Sequence, residues 1–426
     1  MKMSFWGLGL VIGICMVGLL SQPSRAHELV LDSLIAQALR ANPDLKAAES
    51  RYKAFEAQVP QAGSLPNPMF QATISNVSAK SWTLGKTLMS GHEYMLSQTI
   101  PFPGKLGFAQ KASRGMAQQS EQEYQSTKSF VLSELKQNYY QLYQLQKSIW
   151  ITQENKQLLE DFAKIAATRY SVGEGLQQDV LKAQVEVSKM IDELISMEEM
   201  RRTTQAKINV LLARDPQDSL GETEELTLQS LSLSEEELQN LAIQNNPGLK
   251  GMEFEINAAE SEYKMARREY WPDFALSLSY LRMRNDASME PGAERNFVSA
   301  SAGIEIPLYF WSKQKKKVEE KGFDLRSSRQ KYEGMKNDLK FSVSELFYSL
   351  NKYRQQVELY QTAILPQARQ SLESARVAYQ VDKVDFMTLL DNQMTLYNYQ
   401  IAFHQALTAY FQSVAQLEEI VGKPLL

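Results

Sequence analysis

The sequence predicts a mainly α-helical chain that also carries β-strands of the transmembrane-barrel kind, built as two copies of one unit. Three observations carry that fold class: an internal repeat, long apolar seams at 3-4 spacing, and short runs in which apolar and polar residues alternate.

The repeat is read directly. ALRANPDLK at 38–46 returns as AIQNNPGLK at 242–250, and RYSVGEGLQQDVLKAQ at 169–184 returns as AYQVDKVDFMTLLDNQ at 378–393. Between these anchors, Ile100-Pro101 matches Ile306-Pro307. The order of parts is kept while the offset drifts from 204 to 209, so the copies differ by small insertions. A repeat of this length means two copies of one structural unit. Pseudo-symmetric objects of this kind tend to be rings, ducts or transporters rather than single-site enzymes. The copies divide the chain into a leader (1–26), a first repeat (27–216), a linker (217–234) and a second repeat (235–426).

The seams predict long helices. Leu339, Val343, Leu346, Leu350, Tyr353, Val357, Tyr360 and Ile364 step by 4 and 3 in strict alternation, a heptad pattern. A second seam runs from Leu389 through Gln393, Leu396, Gln400 and Phe403 to Val421, and its first-half counterpart starts at Val180, Gln184 and Val187. Val131, Leu135, Leu142, Leu145 and Ile149 mark the remaining long segment. The expected hairpins are 105–212, turning near 171–176, and 312–421, turning near 380–385. Their first helices would each be about 100 Å long. Pro366 should bend the second one locally. A purely structural coiled coil has the same seam, so the helices alone do not give function.

Strands are expected at about 69–78, 92–101, 273–282 and 297–307. Phe274, Leu276, Leu278 and Tyr280 alternate with Ala275, Ser277 and Ser279, and Val298, Ala300, Ala302, Ile304 and Ile306 alternate with Phe297, Ser299, Ser301, Gly303 and Glu305. One greasy face, one small polar face and a length near ten residues mark a strand of a water-filled membrane barrel. A half-buried strand of a soluble sheet alternates in the same way. Phe102, Trp271, Tyr309, Phe310 and Trp311 at the helix-side ends, with Trp82 in the first loop, suit an interfacial girdle. Four strands cannot close a barrel, whose smallest forms have about eight. Strands that enter a membrane here would have to be shared among several copies of the chain.

The leader reads as an export signal. Lys2 precedes an apolar run from Leu8 to Leu20, and Ser24-Arg25-Ala26 fits a cleavage site, so the mature chain is expected to begin at His27. The single cysteine, Cys15, lies in the leader behind Ile14, where a lipidation signal wants a small residue. The mature chain thus has no thiol chemistry. It holds 44 basic and 50 acidic residues, net −6, which is no footprint for nucleic acid.

An enzyme finds little support. His27, His92 and His404 are scattered without ligand spacing. Glu235–Leu238 after Ser234 reads as a helix start with Ser234 as its cap. Met283 and Met289 flank a predicted loop and read as ordinary loop methionines, with a soft-metal role as the sharper alternative. No catalytic residue, cofactor or resident metal is expected.

Taken in order, ALRANPDLK, PQAGSLPNP (60–68), SQTIPFPGK (97–105), RYSVGEGLQQDVLKAQ, WPDFALSLSY (271–280) and the closing LEEIVGKPL resemble the outer-membrane efflux protein (TolC) family. The PQAGSLPNP and IPFPGK stretches look most like its heavy-metal and cation efflux subgroup. The resemblance covers the mature chain. It implies a homotrimer in which each protomer gives four strands to one 12-stranded barrel, above a long periplasmic α-helical coiled-coil tunnel with a collar. It implies an outer-membrane duct in contact with lipid, fed by a periplasmic adaptor (membrane fusion) protein and a proton-driven inner-membrane pump. The same fold could instead serve type I protein secretion, and a periplasmic coiled-coil scaffold is the reading without a barrel.

The resemblance also implies sites. At the helical turns it places adaptor contacts on Arg169, Tyr170, Val172 and Gly173, and on Tyr379 and Val381; helix capping is the plainer role for the same residues. Gly173 and Gly175 permit a tight first turn, whereas Asp382 stands where the family prefers glycine. Asp391 matches the second acid of the family's aperture motif, but Thr388 stands at the first. Asp179 matches an acid that latches to the neighbouring hairpin. Its partners fall on Tyr379 and, where arginine is expected, on Val384, with Lys383 one position earlier as a substitute. Asp179, Asp391, Tyr379 and Lys383 are thus the gate candidates, and solvated acids on a helix face are the alternative.

Overall fold

The structure is a computed structural model that describes residues 29–425 apart from 81, 83, 85–86, 88–89 and 285–293. The expected leader with Cys15 and His27, and Met289, lie outside the described residues. The chain is mainly helical. Helices α1 (Leu31–Ala41) and α2 (Pro43–Ala62) lead to strands β1 (Met69–Ser75) and β2 (Ser90–Ile100), then to α3 (Lys105–Ser171) and α4 (Gln177–Leu211). The same order returns as α5 (Glu235–Asn245), α6 (Pro247–Arg268), β3 (Asp273–Arg284), β4 (Glu294–Glu305), α7 (Gln314–Leu359), α8 (Leu365–Gln380) and α9 (Phe386–Val421).

The repeated Asn-Pro has a physical job. Asn42 Oδ1 accepts from the amides of Asp44 (2.9 Å) and Leu45 (3.2 Å), capping α2. Its Nδ2 donates to the Leu211 carbonyl at the end of α4 (3.0 Å). Asn246 repeats the arrangement, accepting from Leu249 N (2.8 Å) and donating to Ile420 O (2.8 Å) at the end of α9. Proline follows each cap at the first helical position, where its missing N–H is no loss. Each motif therefore starts one helix and ties down the end of another.

Helix α3 runs 67 residues without interruption, about 100 Å. Its second-half counterpart does not. A π-helical turn, Tyr360–Ile364, separates α7 from α8, and Pro366 follows at once. Proline lacks the N–H of the regular ladder and its ring collides with the carbonyl four residues back. A widened turn accommodates that defect.

The strands form one antiparallel sheet in the order β1-β2-β3-β4. Its register brings Phe70, Leu96, Leu278 and Ala300 into one row and Ala72, Tyr94, Tyr280 and Val298 into the next. Gln71, Met95, Ser279 and Ser299 make a row on the opposite face. The alternation of each strand thus adds up to one apolar and one mostly polar face. Gln98, the exception on the apolar side, donates to the carbonyls of Pro66 and Thr99 (2.8 Å each). Asp273 fastens the sheet to the helices by accepting from Phe102 N (2.7 Å) and Lys105 Nζ (2.6 Å).

Residues between α4 and α5 are strapped across α3 and α9 by buried tyrosines. Tyr139 OH donates to Leu29 O (2.8 Å) and accepts from Glu224 N (3.0 Å). Tyr410 OH donates to Gln229 O and accepts from Leu231 N (3.2 Å). Tyr143 OH donates to Glu225 Oε1 (2.9 Å) and lies 3.3 Å from His404 Nδ1. Lys147 pairs with the same glutamate. His404 is therefore a structural histidine of this joint. Burial, with Lys147 nearby, pushes its imidazole down to about 4.

Two predictions follow from this architecture. Leu278→Arg on the apolar face should lower stability in a bilayer by about 2–4 kcal/mol, whereas Ser277→Arg on the other face should change it far less. Urea titration in phospholipid vesicles measures both, and equal effects would mean that the apolar face does not meet lipid. The second concerns His404. An unfolded histidine takes its proton near pH 6.5, the buried one only near 4, so stability is full above pH 6.5 and falls as pH drops from 6.5 to 4, by roughly 3 kcal/mol per chain. Denaturant midpoints across that range should lose this slope in His404→Gln; an unchanged slope would assign it to other groups.

Candidate functional site

At the end far from the sheet, the two hairpins share one core. Ile151, Leu159 and Phe162 of α3, Met190 of α4, and Phe386, Leu389, Leu390 and Tyr397 of α9 are buried together there. A polar layer crosses this core. Gln393 Nε2 donates to Asn155 Oδ1 (2.7 Å), and Asn155 Nδ2 donates to the sulfur of Met190 (3.2 Å). Tyr397 OH bonds the Glu193 carboxylate and sits 3.0 Å from Thr152 Oγ1. Such a layer fixes the register of packed helices, because a slip would leave its amides and hydroxyls unpaired.

The helical turns at this end are built alike. In the first, Gly173 N donates to Tyr170 O (3.1 Å) and Glu174 N to Arg169 O (2.9 Å). In the second, Asp382 N donates to Tyr379 O (3.2 Å) and Lys383 N to Ala378 O (2.9 Å). Both are Schellman endings, which need a left-handed residue after the cap. Gly173 has φ +82° and Asp382 has φ +57°. Asp382 thus adopts the conformation of its glycine counterpart, which aspartate tolerates better than most residues. Gly175 serves differently. A Cβ there would come within 3.1 Å of Arg169 Cβ and Tyr170 N, so a larger residue would push the end of α3 by a few tenths of an ångström.

The following helix starts differ. Asp385 caps α9 by accepting from Thr388 N (2.8 Å); the Thr388 hydroxyl and then this amide hold its carboxyl below the usual range. Leu176, the equivalent of Asp385, has no capping side chain, and α4 instead carries Asp179 in its first turn. There the acid faces the positive end of the helix dipole.

Three of the residues singled out in the sequence meet, though not in the pairing expected. Arg169 donates to Asp382 Oδ1 (2.5 Å), and its guanidinium lies 4.8 Å from the centroid of the Tyr379 ring. Tyr379 also packs edge-on against Phe386. The cation of this link therefore comes from the first hairpin and the acid from the second. Asp179 is half-buried, and no hydrogen bond or ion pair joins it to Tyr379 or Lys383 among the described residues. Asp391 is exposed on the side of α9 away from the shared core. Tyr170, Val172, Val381 and Lys383 are exposed on the turns themselves.

Sequence reasoning missed Asp382 as a partner of Arg169, because the two are 213 positions apart. It also passed over Glu186, which is buried on α4 between Lys182 (3.1 Å) and Lys189 (2.9 Å). Burial alone would raise its carboxyl, but hydrogen bonds from Lys189 and Lys182 hold it below the usual range. The i,i+4 and i,i+3 spacing was a readable signal there. No group of three or more His, Cys, Asp or Glu arranged to hold a metal occurs among the described residues.

Comparison with known proteins identifies the family. The family model "Outer membrane efflux protein" matches residues 34–214 and 238–423. The cobalt-zinc-cadmium resistance protein CzcC of Cupriavidus metallidurans is 22% identical over 408 residues, covering 93% of this chain and 91% of its own. The pyoverdine export outer membrane protein OpmQ of Pseudomonas aeruginosa is 22% identical over 410 residues, covering 92% and 85%. Among solved structures, that of CusC, described in connection with folding and transmembrane channel formation, superposes with a TM-score of 0.80 at 18% identity, covering 95% of this chain and 96% of that one. The chain belongs to the outer membrane efflux protein family.

Proposed function

We propose that the chain is the exit duct of a tripartite efflux system. It assembles as a homotrimer whose twelve strands form one outer-membrane barrel and whose helices form a periplasmic tunnel. A periplasmic adaptor docks at the exposed turns, and an inner-membrane pump, of the proton-driven type, supplies the cargo. The observation that carries this reading is the four-stranded sheet itself. It has one apolar face and, among the described residues, two edges with no neighbouring strand, and it stands on α3, a helix about 100 Å long. In hydrocarbon those edges must be hydrogen-bonded, and a closed barrel shared among copies does that.

Metal cations are the cargo that the likeness to CzcC favours. OpmQ, equally similar, is named for pyoverdine export. Cargo choice is therefore assigned to the pump rather than to the duct.

Asp391 is placed in the gate. Repeated three times around an axis, it makes a ring of carboxylates that favours cations. The purified protein in a planar bilayer is expected to conduct with cation preference, and Asp391→Asn to reduce that preference several-fold. Recovery of the chain as a soluble periplasmic monomer would overturn the duct; an unchanged reversal potential in Asp391→Asn would remove Asp391 from the gate.

The Arg169–Asp382–Tyr379 link is read as a latch between the hairpins. Asp382→Arg should raise the conductance of the resting channel, more at low salt than at high salt, where an exposed pair is already screened. Exchanging the charges, Arg169→Asp with Asp382→Arg, should restore the resting conductance. A double variant no better than the single one would reduce the pair to turn packing.

A further inference from the structure

Where β4 meets α7, the chain changes character within a few residues. The apolar face of β4 continues through Ile304 to Ile306, and Pro307 then turns it into Leu308-Tyr309-Phe310-Trp311. All four side chains are exposed, Tyr309 by 70% and Trp311 by 59%. The turn is nonetheless held in shape. Lys313 N donates to Tyr309 O (3.0 Å), Lys315 N donates to Phe310 O (2.9 Å), and the Phe310 and Trp311 rings pack edge to face at 5.1 Å. At the same level Trp271 is stacked on Phe102 at 5.2 Å. A fixed, exposed aromatic turn at the foot of a lipid-facing sheet is shaped for the membrane interface.

The charge that follows is unusual. Lys313, Lys315, Lys316 and Lys317 open α7, whose first turn contains no acid and whose cap makes no side-chain hydrogen bond. A helix start already carries positive partial charge, so lysines there repel it and favour an anion. Lys317 is neutralised by Glu269 (2.5 Å) and Lys316 faces Glu319 (2.7 Å). Lys313 and Lys315 are exposed and form no salt bridge among the described residues, although Lys315 acts electrostatically on Glu319.

A second observation sits between them. Gln314 is only 8% exposed, and its Oε1 is buried without a hydrogen-bond partner. It lines a cleft of about 510 Å³ together with Lys313, Tyr309, Leu308, Trp271 and Met265. The acids on this cleft are Asp273 and Glu269, both paired with lysines, and Glu305. A buried amide oxygen without a partner, beside Lys313 and an apolar wall and with Lys315 and Lys316 on the helix start just outside the cleft, asks for a ligand with a hydroxyl, a negative charge and a hydrocarbon portion.

We propose that Leu308–Trp311, Gln314 and the lysines at 313, 315 and 316 bind the headgroup of an anionic phospholipid in the periplasm-facing leaflet of the outer membrane. The lysines take the phosphate, the Gln314 amide oxygen accepts from a headgroup hydroxyl, and the aromatic turn lies along the glycerol and upper acyl region. The proposal rests on the sheet being the membrane barrel. It adds a selectivity that an aromatic girdle alone does not have.

The test uses the full assembly, purified in a neutral detergent and titrated with phosphatidylglycerol or phosphatidylcholine. Bound lipid is counted by native mass spectrometry, and the thermal midpoint is followed in parallel. Phosphatidylglycerol should bind and stabilise more than phosphatidylcholine. The triple variant Lys313→Gln, Lys315→Gln, Lys316→Gln should weaken phosphatidylglycerol binding by about 10- to 100-fold, and the matching triple change to arginine should retain it. Equal binding of the two lipids, or a glutamine variant that keeps the preference, would overturn the proposal. A glutamine variant that dissociates in lipid-free detergent would also overturn it, by assigning the lysines to a neighbouring copy of the chain. Failure of the wild type to enter phosphatidylcholine vesicles would instead strike the barrel reading on which the site rests.

Discussion

The rest of the structure depends on a sheet that cannot satisfy itself. Among the described residues, strands β1 and β4 each have one edge with no neighbouring strand. In hydrocarbon, where the proposed barrel would stand, no water would be available to satisfy the N–H and C=O groups of those edges. On the proposed barrel reading the chain needs further copies of itself, for hydrogen bonding as well as for hydrophobic burial. The long helices share the demand. Many large apolar side chains along them, such as Phe323, Phe341 and Tyr348, are exposed in the single chain. The duplicated architecture makes sense in that light. Each copy supplies a strand pair and a helical pair, which is too little to close a pore and enough to serve as one wall of it.

Much of this was legible because its signals are local. Alternation along β3 and β4 is a period of two, and the seam from Leu339 to Ile364 is a period of 3.5; both survive in a single segment. At Pro366, where a local bend was expected, the helix is interrupted by a π-turn beginning six residues earlier. The link at the turns was not legible. Asp382 looked like a departure from a glycine preference, and its two roles, left-handed residue and partner of Arg169, depend on the packing of one hairpin on the other. The tyrosines that strap the linker were hidden in the same way. Tyr410 lies on the seam that runs to Val421 and Tyr139 and Tyr143 lie beside the seam of α3, and only the folded chain reveals that their hydroxyls reach a segment more than eighty residues away. Gln393 gave a partial signal, as a polar residue on an apolar seam.

The two hairpins are alike in plan and unlike in mechanics. The first is led by one unbroken helix, the second by two helices joined through a π-turn. A widened turn lacks part of the regular ladder and is a natural place for bending. The turns differ as well, since Asp385 caps its helix and Leu176 does not. Motion of one hairpin against the other would thus concentrate in the second, beyond Tyr360.

The distribution of interactions along the axis supports that division. Near the linker the ties are buried: Tyr139, Tyr143 and Tyr410 are each 1% exposed or less, and their hydroxyls bond main chain or a paired glutamate. Breaking any of them strands a polar group away from water, which is costly. At the far end the link between hairpins is an exposed pair, with the Asp382 side chain 74% accessible, and water replaces either partner readily. Between the two lies the layer of Asn155, Gln393 and Tyr397, buried but polar, which keeps register without the grip of an all-apolar core. The structure is therefore held firmly near the linker and weakly at the turns, where the proposed gate would open. A gate built at the other end of this gradient would have to break buried hydrogen bonds in every cycle.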